Sequence, residues 1–216
     1  QKIQNHNSKR YYKIMKKILL IGAGGHSKSC IDVIELQKKY RIVGLIANKK
    51  EKEIFGYKVL GKDNLLNKLS SEISFALVTV GQIENYKIRE KLFKKASNLG
   101  FKFPQIISPI AYVSKHAKIG NGTIIMHGAV VNAGAKVGKN CIINSKSLIE
   151  HDVQVGDNCH ISTRATLNGG VIIKKNSFIG SSSVIRQNIT IGEKCFINSN
   201  IFINKNLNNG KKIYKQ

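Results

Sequence analysis

Residues 111–206 divide without a break into AYVSKH, AKIGNG, TIIMHG, AVVNAG, AKVGKN, CIINSK, SLIEHD, VQVGDN, CHISTR, ATLNGG, VIIKKN, SFIGSS, SVIRQN, ITIGEK, CFINSN and IFINKN. The third residue of all sixteen blocks is Val, Ile or Leu, from Val113 to Ile203. The first is usually small or β-branched, as at Ala117, Ala129, Ala135 and Ser183. A helix repeats near every 3.6 residues and a strand every 2, so neither accounts for one aliphatic residue in six. A solenoid does: each short strand sends one side chain inward, and the next turn stacks a like residue above it. Gly or Asn often follows the aliphatic residue, as at Gly120, Gly138, Gly156, Gly180, Gly192, Asn132, Asn144 and Asn198. These residues are predicted to take the positive-φ conformations of tight corners.

The period resembles that of the left-handed β-helix acyltransferases, in which three hexads make one triangular coil. On that plan, sixteen hexads make five coils and a third. A hydrophobic period defines a fold and leaves the chemistry to particular side chains.

The 216 residues suffice for two modest domains, and no apolar run approaches the length that spans a bilayer. Residues 1–14 carry no recognisable pattern and read as a disordered leader, with Met15 the natural start. Cys141, Cys159 and Cys195 take the first, small and buried place of their blocks, and Cys30 falls in a predicted helix. No CxxC pair occurs, which argues against a zinc knuckle or disulfide framework and favours inert thiols in a cytoplasmic protein. The net charge of +24 raises nucleic acid as a partner. The lysines are dispersed, however, and aromatics are not interleaved with them, so the stacking platform for single strands is missing. A basic surface that attracts small anions is the better reading, and neither nucleic acid nor membrane is an expected partner.

Before the solenoid, residues 15–107 alternate strand and helix. Strands are predicted at residues 16–21, 42–47 and 75–80, with helices over 27–39, 63–69 and 84–99 and a turn near Gly56. This is a small Rossmann-like parallel α/β unit, joined through Pro104 and Pro109 to a β-helix over 108–207 and a tail at 208–216. The first strand runs into Gly22-Ala23-Gly24-Gly25-His26, and such a turn binds phosphate through converging backbone N–H groups. The third glycine of the dinucleotide fingerprint is missing, and the second strand ends in Ala47-Asn48 with no acidic residue for a ribose diol. An NAD site is therefore poorly supported.

Taken with the solenoid, GAGGHSKSCID resembles the opening of the NeuD and PglD kinds of sugar O- and N-acetyltransferase, and the likeness extends from Met15 to about Leu207. It implies a sugar acceptor on the N-terminal domain, contacted by Gly24, Gly25, His26 and Gly81. Many N-acetylating relatives carry two acidic residues where this chain has Ala47-Asn48, and relatives commonly end in a G-x-P-A loop where it has NLNNGKKIYKQ.

Acetyl transfer from a thioester needs a base near neutral pH and a donor for the oxyanion, and histidine suits the first task. Of six histidines, His6 lies in the leader and His116 begins the solenoid. His127 and His151 take the fifth place of a block, a corner expected to point outward, and His160 the second, on a solenoid face. His127 lacks an adjacent carboxylate and is expected to face solvent or another subunit. His151 lies between Glu150 and Asp152, and a neighbouring carboxylate orients imidazole and stabilises its cation. One coil on, Gly169-Gly170 leaves room above it. Thr163, Ser181 and Ser199, spaced by whole coils, form a column of small polar residues able to line a groove for an extended pantetheine. The segments SLIEH, IST and LNG resemble NeuD closely. That resemblance implies His151 as general base supported by Asp152, with cofactor contacts at His160, Gly169, Ser181 and Ser199.

The resulting expectation is an acetyl-CoA-dependent sugar acetyltransferase without a metal, acting on an amine or a hydroxyl and assembled as a homotrimer whose adjacent subunits form the two walls of the cofactor cleft. Two alternatives stay open. A γ-carbonic-anhydrase-like enzyme would place zinc on histidines such as His127, His151 and His160, although their spacing does not match. A structural β-helix would explain the repeat but neither the glycine turn nor Glu150-His151-Asp152.

Overall fold

A computed structural model of the chain describes residues 15–48 and 52–215; the leader expected over 1–14 lies outside the described residues. The N-terminal unit is a five-stranded sheet in the order β3-β4-β2-β1-β5. Strands β1 (Lys16–Ile21), β2 (Tyr40–Ile46), β4 (Tyr57–Gly61) and β5 (Phe75–Val78) run parallel, and β3 (Glu53–Ile54) pairs antiparallel with β4. The β3–β4 hairpin around Gly56 goes beyond the expected turn. Helices α1 (Gly25–Gln37), α2 (Leu66–Ser70) and α3 (Lys87–Asn98) complete the unit. Helix α3 begins later than its apolar pattern suggests, because Asn85 Oδ1 accepts the Lys87 N–H at 3.0 Å and holds the preceding chain in a turn.

From Ile106 onward the chain is a left-handed parallel β-helix with three faces. A seven-stranded face runs from Ile106–Ile107 to Lys212–Ile213, a six-stranded face from Tyr112–Val113 to Phe202–Ile203, and a five-stranded face from Lys118–Ile119 to Thr190–Ile191. Successive rungs keep whole-coil register, as in Ile142 beside His160 and Ile143 beside Ile161. The third residues of the blocks fill the interior: Ile125, Ile143, Ile161 and Ile179 are completely buried.

The first residues do more than fit. Thr123, Cys141, Cys159, Ser177 and Cys195 form one column at the corner leading into the seven-stranded face. Each donates to a carbonyl of the following coil, those of Gly138, Gly156, Lys174, Gly192 and Asn208, at 2.7 to 3.2 Å. Thiols serve here as small buried donors. Burial pushes Cys141 and Cys30 up to about 12 and raises Cys159 and Cys195, so they stay protonated and unreactive at neutral pH.

The corner glycines require a correction. Positive φ falls on the sixth residue of a block, as at Asn140, Lys146, Asp152, Asn158 and Asn188, and the glycines of the fourth place do not adopt it. Those glycines answer a steric demand instead. A Cβ on Gly138 or Gly156 would lie 2.6 Å from the amide nitrogen of Asp157 or Lys175 in the next coil, closer than packed atoms allow.

The two units share one core. Ile106, Ile124, Met126 and Ile142 on the seven-stranded face pack with Ile18, Leu20, Ile31 and Ile34 of the α/β unit. Polar ties reinforce the contact. His127 Nε2 meets Asp32 Oδ2 of α1 at 2.8 Å, and its Nδ1 meets Ser108 Oγ at 2.7 Å. The expectation for His127 is thereby corrected: its side chain is about a quarter exposed and joins the two units, with a carboxylate supplied from far away in sequence.

Candidate active site

A cleft of about 1220 Å3 lies between the carboxyl ends of β1, β2 and β5 and the edge of the seven-stranded face. Open α/β sheets offer ligands that position, because the loops there diverge. One wall carries Gly24, Gly25, His26, Gly81 and Gln82; the opposite wall carries Asn144, His160, Ser162, Ser181 and Ser199. The expected acceptor residues and three of the expected cofactor residues thus face one space. Local sequence explains the first wall. Gly22 has φ +124, and a Cβ there would lie 2.7 Å from the Val80 side chain, so the turn passes close under β5. The chain then enters α1 with Gly24 as its extended N-cap, and Gly25 has open space where a side chain would stand.

On the second wall, strand register stacks Thr163, Ser181 and Ser199 along the corner after the seven-stranded face. Ser181 Oγ bonds Ser162 Oγ at 2.9 Å. His160 is buried beneath the α/β unit. Its Nδ1–H donates to the Gln82 carbonyl at 2.5 Å, and its Nε2 accepts from Asn144 Nδ2 at 3.2 Å. Gln82 Nε2 in turn donates to Asn158 O at 2.8 Å. Sequence reasoning passed over Gln82, Asn144 and Ser162, whose importance depends on which loop crosses which coil. At the outer end Asp63 Oδ2 takes the Asn48 amide at 3.2 Å, with Lys91 and Lys95 beside it.

His151, Asp152 and Gly169 stand elsewhere, on the corner between the six- and five-stranded faces. Asp152 takes φ 60, which folds its carboxylate back so that Oδ2 lies 3.1 Å from His151 Nδ1. Nε2 is left looking at the next coil, where a Cβ on Gly169 would come within 2.5 Å of it. The glycine is what gives the imidazole its place. Both His151 and Asp152 are well exposed in the single chain. Among the described residues no three His, Cys, Asp or Glu side chains gather as a metal site, and His127, His151 and His160 do not meet.

Burial sets the charge of the cleft. Desolvation, then the nearby Arg89 cation and His160, lowers His26 to about 3. Desolvation, partly offset by the Gln82 carbonyl and aided by Arg89, lowers His160 to about 4. Both are neutral at pH 7. Because these folded values lie below the unfolded value, the unfolded chain binds more protons in acid. The associated stability is complete above pH 6.5 and is lost as pH falls toward 4 and then 3. Going from pH 7 to 5 should cost about 2 kcal/mol from each histidine, read as a falling urea midpoint. A midpoint unchanged over that interval would contradict the burial of both rings.

These features define a hexapeptide-repeat acyltransferase with an α/β domain set against its β-helix. Residues 17–96 match the PglD N-terminal domain, 116–151 and 134–169 the bacterial transferase hexapeptide of six repeats, and 170–205 the hexapeptide repeat of succinyl-transferase. The acetyltransferase domain of PglB from Neisseria gonorrhoeae FA1090, in complex with acetyl coenzyme A, is 33% identical with a TM-score of 0.86 over 92% of this chain and 95% of that one. PerB from Caulobacter crescentus, in complex with CoA and GDP-perosamine, is 27% identical with a TM-score of 0.83 over 89% and 91%. UDP-N-acetylbacillosamine N-acetyltransferase of Bacillus subtilis (strain 168) is 33% identical over 114 residues, 52% of this chain and 52% of that protein. The chain thus spans about half of that relative, and 21% of an uncharacterised mimivirus protein that it also matches. The chain belongs to the NeuD/PglD-type sugar acetyltransferases of the left-handed β-helix family.

Proposed function

We propose that this chain transfers an acetyl group from acetyl-CoA to a sugar in surface-glycan biosynthesis, the acceptor being the amine of a nucleotide-linked amino sugar. The relatives named for UDP-N-acetylbacillosamine and GDP-perosamine support an amine over the hydroxyl of a sialic-acid-like sugar. The observation that carries the reading is the cleft itself, where the glycine turn of the α/β unit faces His160 and the Ser181–Ser199 column. A nucleotide phosphate suits the N-terminus of α1, and the small polar column suits an extended pantetheine arm.

In this reading His151 is the general base, in a homotrimer. The outward residues of the six-stranded face are Tyr112, Val130, Leu148, Thr166, Val184 and Phe202, whereas the five-stranded face presents Lys118, Lys136, Gln154, Ile172 and Thr190. An apolar face of this kind is the natural contact between copies. His151 borders it on one side and Ser181 and Ser199 on the other. Packing around a threefold axis therefore sets the His151 edge of one subunit against the cleft edge of the next. The acceptor amine attacks the thioester carbon, a C–N bond forms, and Nε2 of His151 takes the amine proton. Collapse of the tetrahedral intermediate breaks the C–S bond, and the departing thiolate receives that proton as free CoA.

Thiol release from acetyl-CoA, measured against nucleotide-linked amino sugars and free sialic acids, tests the proposal; no release with any acceptor would defeat it. In the same assay Gly25→Phe, which enters open space, should raise the acceptor KM about tenfold or more and leave that of acetyl-CoA unchanged. Gly169→Val should lower turnover instead, because its side chain displaces the His151 ring. A rise in the acetyl-CoA constant on substituting Gly25 would reverse the roles of the two walls.

A further inference from the structure

Behind the cleft a cation is buried without a counter-ion. Arg89 of α3 is wholly buried, and burial lowers it only to about 10, so it remains charged at neutral pH. No carboxylate pairs with it among the described residues. It donates instead to main-chain carbonyls: Nη1 to Val78 O at 2.7 Å and Val80 O at 2.8 Å, and Nε to Asn140 O at 3.1 Å. Two of those carbonyls lie at the end of β5 and just beyond it in the α/β unit, and the third belongs to the β-helix. A buried charge without an ionic partner is costly relative to an apolar residue, so packing alone does not account for it. The segment it grips does. Two residues beyond Val80 comes Gln82, whose carbonyl accepts the His160 Nδ1–H and whose side chain holds Asn158.

We propose that Arg89 is a positioning residue for His160: by clamping the end of β5 to the β-helix, it holds the Gln82 carbonyl where it fixes the proton on Nδ1 and leaves Nε2 as an acceptor toward the cleft. In the free protein that Nε2 lone pair takes the Asn144 amide; a ligand donor, such as an amide N–H of a thioester's pantetheine arm, would replace it there, whereas another acceptor is rejected. Phe178 packs edge-on against the ring, with centroids 5.1 Å apart. The same segment carries Gly81 on the acceptor wall, so Arg89 ties both substrate walls together while touching neither ligand. The kinetic consequence rests on the acetyl-transfer reading; the statement about the ring does not.

The test is long-range proton–nitrogen correlation of 15N-histidine-labelled protein at pH 7 without ligand. Wild type should show His160 neutral with its proton on Nδ1, and Asn144→Ala should keep it there, since the Gln82 carbonyl persists. Arg89→Met should release the ring into a mixture containing the Nε2–H form, with the His151 signals unchanged. Arg89→Lys, which restores the charge and part of the clamp, should recover part of the Nδ1–H form. With an active acceptor, Arg89→Met should raise the acetyl-CoA KM roughly 10- to 100-fold, by analogy with loss of the outer partners that orient metal-ligating histidines. The proposal is overturned by wild-type His160 protonated on Nε2, by a tautomer that changes in Asn144→Ala, or by a folded Arg89→Met that keeps the Nδ1–H form. If Arg89→Met does not fold, Arg89→Lys decides the matter: a folded Arg89→Lys in which the Nδ1–H form is undiminished overturns the proposal, and a partial loss of that form supports it. A correct tautomer in a protein without acetyl transfer would defeat the functional reading and leave this inference standing.

Discussion

Replacing His151 with alanine is expected to lower kcat by roughly a hundred- to ten-thousand-fold, the usual cost of losing a general base, while acetyl-CoA binding stays within a few-fold of normal. The side chain is exposed on a corner, with room above it at Gly169. Its removal therefore leaves no buried cavity, and the melting temperature should hardly move. Asp152→Asn should cost less, because an amide still orients the ring at Nδ1 but does not support the cation. Turnover near normal in His151→Ala would transfer the proton to another group, and the exposed corner would lose its role.

The second large effect is rescue by mixing. If each site combines His151 of one subunit with the cleft of its neighbour, His151→Ala and Gly25→Trp chains should each be almost inactive alone. Co-expressed in equal amounts, they assemble trimers in which about a quarter of the sites pair an intact histidine with an intact cleft. Purification through two tags removes the homotrimers, and each remaining trimer has one intact site in three, so activity near about a third of wild type is expected. Activity no greater than the sum of the separate variants would mean that both parts of the site come from one chain. A charge placed at Leu148, on the apolar face, should abolish activity by another route, yielding a monomer visible by light scattering.

Much of this architecture is legible in sequence because it is local and repeated. One aliphatic residue in six fixes the inward row, and addition by whole coils stacks Thr163, Ser181 and Ser199 before any coordinates are known. The Asp152–His151 contact is equally readable, since neighbours in a corner can hardly avoid meeting. Contacts between the two units are not readable. Arg89 looks like one basic residue among many on α3, and only the placement of Asn140 beside β5 shows why it is buried. His127 lacks a neighbouring carboxylate in sequence, yet α1 brings Asp32 to it across the interface. The fourth-place glycines show a subtler failure. Their recurrence is visible, but whether it serves torsion or clearance depends on the height of the next coil.

Because the α/β unit and the first coils share a core, the two walls of the cleft are held at a set separation, and the β-helix works as a ruler. Each added coil would raise whatever stands above it by about 4.8 Å, the spacing between paired strands, while leaving it on the same corner. Adding a single hexad would instead carry a residue one third of the way around, to a different face. Evolution along this scaffold can therefore move a residue along one corner only in whole-coil steps, and finer adjustment has to come from loops such as the one between β5 and α3.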